Sequence, residues 1–146
     1  MENCNRFTKP VSVNGKRHSV IRSYWDLEVY KLSYRTMIRV FREVIPALPQ
    51  HEKYDLKDQI SRASKAVPRL IAEGYAKKHQ KMGFQKYLAD AMAECNEMVV
   101  SLCQCHDLYG ISCEELIDNY DKAGRQLFKL STAWRRFGAK RDSSFG

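Results

Sequence analysis

The densest group of reactive side chains in the chain is Cys103-Gln104-Cys105-His106, two thiols and an imidazole of the kind that ligate zinc or pair a nucleophile with its base. The spacing suits neither task. Residues two apart on a helix point to nearly opposite sides, so the two thiols cannot close on one ion, and no second ligand pair follows at zinc spacing. The five cysteines, Cys4, Cys95, Cys103, Cys105 and Cys113, are odd in number and lack the pattern of a secreted disulfide framework. Reduced thiols acting as small apolar residues are the simpler reading. The histidines, His18, His51, His79 and His106, fall in tails, loops or helix ends with no motif-placed nucleophile. Glu94 and Glu97 lack the glutamate-x-x-histidine repeat of a bundle metal centre. The sequence therefore predicts no enzyme, no metal and no cofactor.

Cations are the chemistry present in excess. The formal charge is +8, and the surplus is concentrated near the termini. Arg6, Lys9, Lys16, Arg17 and Arg22 are opposed only by Glu2 over residues 1–22, and Arg135, Arg136, Lys140 and Arg141 only by Asp142 over residues 134–146. Lys77, Lys78, His79 and Lys81 make a third cluster, and Arg62, Lys65 and Arg69 form a line at helical spacing. Groups of this kind recognise phosphate, through charge and counterion release; a basic face with no such ligand is simply solvated. The chain has no helix-turn-helix signature, zinc finger, RNA-recognition strand motif or glycine-rich clamp, so binding to RNA or DNA backbone without sequence preference is what remains. Tyr24, Trp25 and Tyr75 are placed to stack on bases or to fill the core.

Helices must position these groups. A chain of 146 residues with 44% hydrophobic content is one domain, large enough to bury a core. It has no apolar run of membrane-spanning length and no signal-like apolar run at its start, which predicts a cytoplasmic protein that avoids membranes. Phe84, Leu88, Ala91, Cys95, Met98, Leu102, Cys105 and Tyr109 alternate by four and three, as do Leu116, Tyr120, Ala123, Leu127, Leu130, Trp134 and Phe137. Leu56, Ile60, Ala63, Val67, Leu70 and Gly74 keep the same rhythm over a helix from Leu56 to Ala76. Leu27, Tyr30, Tyr34, Met37, Phe41 and Val44 do so over one from Ser23 to Ile45. Pro46 and Pro49 stop the first helix, Asp55 is placed to cap the second, and Gly110 to end the third. Ser112-Cys113-Glu114-Glu115 reads as a capping box opening the fourth, which Gly138 ends. Pro68 inside the second helix predicts a bend.

The pattern predicts an all-α, up-down-up-down four-helix bundle over residues 23–137, with basic tails at 1–22 and 138–146. In that topology the N-terminus, the second connection and the C-terminus share one end, so all three basic clusters converge there. The first and third connections share the other, with Glu52, Asp55, Asp107, Glu114, Glu115 and Asp118. A second apolar line on the first helix, Trp25, Val29, Leu32 and Val40, widens the core face or forms a subunit interface.

Trp25-Asp26-Leu27-Glu28-Val29-Tyr30-Lys31-Leu32, Glu52-Lys53-Tyr54, Gln59-Ile60-Ser61-Arg62-Ala63, Val67-Pro68 and Ile71-Ala72-Glu73-Gly74-Tyr75 resemble segments of the bacterial four-helix-bundle proteins encoded by intervening sequences in 23S ribosomal RNA genes. Phe84, Leu88, Ala91 and Glu97 continue the match, which covers about residues 24–137. The resemblance implies a left-handed bundle, assembly as a ring-shaped homopentamer and no enzymatic activity. It also implies kinship with the accessory variability proteins of diversity-generating retroelements, which bind a reverse transcriptase and its nucleic acids. Leu70 and Glu94 depart from the family pattern, where asparagine and a small polar residue are common. Two functions fit: a nucleic-acid-binding assembly factor, including an accessory subunit of a reverse transcriptase, or an oligomeric scaffold for protein partners.

Overall fold

The computed structural model describes residues 20–143, with side chains through Arg136. Four α-helices account for most of the described chain: α1 Glu28–Arg39, α2 Leu56–Ala76, α3 Gly83–Tyr109 and α4 Glu114–Ser143. No strand occurs among the described residues. A 3-10 turn, Tyr24–Asp26, precedes α1; a π turn, Val40–Val44, and a second 3-10 turn, Ile45–Ala47, extend it. Successive helices pack on one another and α1 packs on α4, closing an up-down-up-down bundle.

The four-three rhythm places the core of α2, α3 and α4. Ile60, Val67, Ile71, Phe84, Leu88, Met98, Leu102, Tyr120 and Leu127 are fully buried, each contributing on the order of 1.5–3 kcal/mol by leaving water. α2 occupies the expected span and continues through the buried Pro68, whose missing N–H leaves the Ser64 carbonyl without its helical donor. Gly74 lets α3 approach: a Cβ there would stand 2.6 Å from Tyr87 Cβ and 3.1 Å from Phe84 Cδ2. Gly110 takes the left-handed conformation, φ +66°, and its N–H donates to the His106 carbonyl at 2.8 Å.

α1 buries part of the stripe expected of it and more besides. Leu27, Tyr30 and Val44 are buried as expected, Val29, Ser33, Thr36 and Val40 join them, and Tyr34, Met37 and Phe41 are only half-buried on the flank. Counting apolar residues captures only part of the face because two polar ones, Ser33 and Thr36, are also buried. Ser33 Oγ donates to the Tyr30 carbonyl at 3.0 Å and Thr36 Oγ1 to the Leu32 carbonyl at 2.7 Å, so the helix satisfies its own hydroxyls. Val29 and Val40, 4% and 0% exposed, therefore belong to the core of the single chain rather than to a surface line.

Three boundaries also differ from expectation. Asp55 precedes α2 but its side chain makes no cap hydrogen bond; Glu52 supplies the cap instead, Oε2 accepting the Leu56 N–H at 3.0 Å. At the start of α4, Ser112 Oγ donates to Glu114 Oε2 at 2.9 Å, so the hydroxyl meets a carboxylate in place of the capping-box amide. α4 runs on through Gly138 to Ser143, a span the sequence assigns to a helix end and the start of a tail. A single glycine costs a helix only about 1 kcal/mol.

Candidate nucleic-acid interface

The start of α1, the connection between α2 and α3, and the end of α4 meet at one end of the bundle, and an aromatic stack joins two of them. The Tyr75 and Phe84 rings lie edge to face with centroids 6.0 Å apart, and Phe84 meets Trp134 the same way at 4.9 Å. Trp134 Nε1 donates to the Lys78 carbonyl at 3.5 Å, tying α4 to the connection. The chain enters through a turn in which Asp26 Oδ2 accepts the N–H groups of Arg22 at 2.8 Å and Ser23 at 3.0 Å.

On this frame the cations take different roles. Lys77 Nζ donates to Tyr87 Oη at 2.6 Å and lies 4.7 Å from that ring's centroid; the hydrogen bond, followed by nearby charge, raises the lysine pKa. Lys78 Nζ sits 3.8 Å over the Tyr75 ring. Both ammonium groups are thus held against rings. Arg22, Lys81, Arg135 and Arg136 are exposed and make no ion pair among the described residues. Lys16 and Arg17 lie outside the described residues, as do the side chains of Lys140 and Arg141.

The basic line of α2 is largely engaged within the chain. Arg62 pairs with Asp58 at 2.7 Å, Lys65 Nζ lies 5.2 Å from the Phe41 ring centroid, and Arg69 faces Glu94. Burial and then Glu97 push the Glu94 carboxyl up, with Arg69 opposing them. The expected interface line on α1 divides: Val29 and Val40 are core, Leu32 is half-buried against it, and Trp25 is 45% exposed beside the basic end.

The far end carries the carboxylates. Arg39 bridges Glu43 and Glu115, each at 2.7 Å. Tyr109 Oη donates to Glu52 Oε1 at 2.5 Å and lies 3.1 Å from His51 Nε2, so one carboxylate joins the α1–α2 connection to the end of α3. That hydrogen bond, with the Leu56 N–H, holds Glu52 below the usual carboxylate range and pushes Tyr109 up to about 12. Burial raises the thiols of Cys95 and Cys105 to about 12, keeping them protonated and unreactive. No three His, Cys, Asp or Glu side chains converge as metal ligands among the described residues, and no helix there is long and apolar enough to cross a membrane.

Sequence reasoning misses a set of cations on α4. Lys122, Arg125 and Lys129 are exposed and, with the already assigned Arg136, stand at helical spacing on one side. The signal is a three-four alternation of charged residues, concealed by the apolar alternation running through the same helix.

A family match covers most of the bundle, though Arg22, Trp134, Arg135 and Arg136 lie outside it. No curated protein and no solved structure matches the chain. The family model described as the 23S rRNA-intervening sequence protein matches residues 25–131, from the α1 entry turn deep into α4, and the chain belongs to that family.

Proposed function

We propose that the chain is a non-enzymatic assembly factor that binds the backbone of RNA or DNA through its basic bundle end. The observation that carries this reading is the convergence there of Arg22, Lys77, Lys78, Lys81, Arg135 and Arg136 from three separate segments, two of them locked together by Trp134. Cations gathered on a rigid frame release several counterions when one phosphate backbone docks. Aromatic rings beneath two of the ammonium groups hold them in place without neutralising them.

The proposal includes assembly as a closed homo-oligomer, a pentamer by family resemblance, whose parallel subunits would bring several basic ends to one face. It also includes service to an enzyme that handles RNA, a reverse transcriptase being one such partner. A protein-interaction scaffold is the second reading, favoured by Val100 and Leu108, 56% and 65% exposed on α3. Titrating the protein against a structured RNA at several salt concentrations separates the two. Affinity that falls linearly in the logarithm of salt and is equal for unrelated sequences supports the first; no binding at low salt supports the scaffold.

A further inference from the structure

Between α3 and α4 a groove of about 410 Å³ opens on the side of the bundle, lined by Met92 and Asn96 of α3 and by Tyr120, Gly124, Arg125 and Phe128 among others of α4. A cavity of about 150 Å³ suffices for benzene, so the groove has room for a purine ring. Its α3 wall is uncharged, and at its lip Phe128 is 64% exposed, a π-face open to solvent directly beside the groove.

Two further observations point to the occupant. The floor is Gly124, where a Cβ would meet nothing nearer than Cys95 Cβ at 4.0 Å. Unlike Gly74, it is not required by close packing, yet it stands inside a helix, where glycine is a poor former. Its effect is to leave the groove open. Beside the groove runs the cation line Lys122, Arg125, Lys129 and Arg136, with about 6 Å of helix rise from Arg125 to Lys129 and about 10 Å from Lys129 to Arg136. Arg125 is paired with Asp121, whereas Lys122, Lys129 and Arg136 make no ion pair among the described residues.

We propose that this groove receives an unpaired base of a single-stranded nucleic acid, stacked on Phe128 over Gly124, with the adjoining phosphates on Lys129 and its neighbours along α4. The proposal rests on the basic-end reading and adds a preference to it. A uniform basic end takes any backbone, whereas a π-face beside a phosphate track selects strands whose bases are free.

A short single-stranded RNA carrying one 2-aminopurine, and a blunt duplex of equal length, test it. Phe128→Ala is expected to weaken single-strand binding by about 5- to 100-fold, to reduce the quenching of the 2-aminopurine, and to leave both the salt slope and duplex affinity nearly unchanged. Lys129→Gln is expected to lower the single-strand salt slope by about 0.7. Gly124→Leu, which fills the floor with a good helix former, should reproduce the Phe128→Ala loss, and Phe128→Trp should preserve binding, with circular dichroism verifying the fold of each. Unchanged single-strand affinity in both Phe128→Ala and Gly124→Leu overturns the groove while leaving the basic end standing. A smaller mass in sedimentation for Phe128→Ala, with binding intact, overturns it in favour of a contact between copies of the chain. Wild-type protein that binds neither RNA at low salt overturns both readings.

Discussion

Replacing Gly74 and Gly124 in turn by alanine should move stability in opposite directions, although both glycines lie inside helices. The intrinsic gain is the same for each, about 0.8–1 kcal/mol in favour of alanine. At Gly74 the new Cβ would lie 2.6 Å from Tyr87 Cβ, an atom fixed one bond from the α3 backbone, so no rotamer change relieves the contact. α2 and α3 must separate by several tenths of an ångström, an overpacking that costs about 1–3 kcal/mol. The net is a loss of about 1 kcal/mol. At Gly124 the nearest atom is 4.0 Å away, ordinary contact, and the helix gain of up to about 1 kcal/mol is retained. Denaturant unfolding followed by circular dichroism measures both, and at about 2–4 °C per kcal/mol thermal midpoints should diverge visibly. If both variants shift the same way, the assignment of Gly74 to packing and Gly124 to open space is wrong.

Tyr109→Phe removes the larger of the two hydrogen bonds, the other from the Leu56 N–H, that hold the Glu52 carboxyl below its ordinary value of 4.5. A carboxyl with a depressed folded-state pKa contributes stability that is present above its unfolded value and lost as pH falls through the folded one. The variant should therefore be less stable than wild type above pH 4.5, with the difference closing in more acidic solution. Equal penalties across that window in denaturant titrations would contradict it. Val29→Ala should cost about 1–3 kcal/mol of unfolding free energy, because Val29 is core, without altering subunit mass beyond what partial unfolding explains. Trp25→Ser should leave monomer stability nearly unchanged, so a lower mass by light scattering would place Trp25 in an assembly contact.

The helices are legible in the sequence wherever one residue class alone controls burial. α2, α3 and α4 bury most of the apolar residues that recur by four and three, with Leu70, Tyr109, Leu130 and Trp134 half-buried at the edges of the core, and α2 fills the span expected of it, about Leu56 to Ala76. The face of α1 is only partly legible in this way: Leu27, Tyr30 and Val44 are buried as expected, but Ser33 and Thr36 satisfy their hydroxyls on their own helix and so are buried too, which a hydrophobic count does not register. The α2 cap escapes for a similar reason: Glu52 reaches Leu56 from four residues away because Tyr109 orients it from another helix. Of the proposed binding residues, the clustering of Lys77, Lys78 and Arg135 at one end follows from topology. That Lys77 and Lys78 rest on Tyr87 and Tyr75, while Arg62 is paired with Asp58, depends on side-chain geometry that spacing does not encode. The α4 cation line is written in the charge periodicity itself, whereas the glycine-floored groove beside it exists only once α3 and α4 are packed together.

Nucleic-acid binding by the basic end is tested most directly by the salt dependence of RNA affinity in two matched triple variants. Lys77→Gln, Lys78→Gln and Lys81→Gln together remove cations from the proposed face; Lys31→Gln, Arg35→Gln and Lys53→Gln remove the same charge elsewhere. Each phosphate that is no longer neutralised lowers the slope of log affinity against log salt by about 0.7–0.9, so the first triple variant should flatten that plot by roughly 2–3 and weaken binding to unrelated sequences alike. The second should leave the slope close to that of wild type. Equal reductions in the two would mean that net charge alone governs binding and would contradict a localised interface at the bundle end.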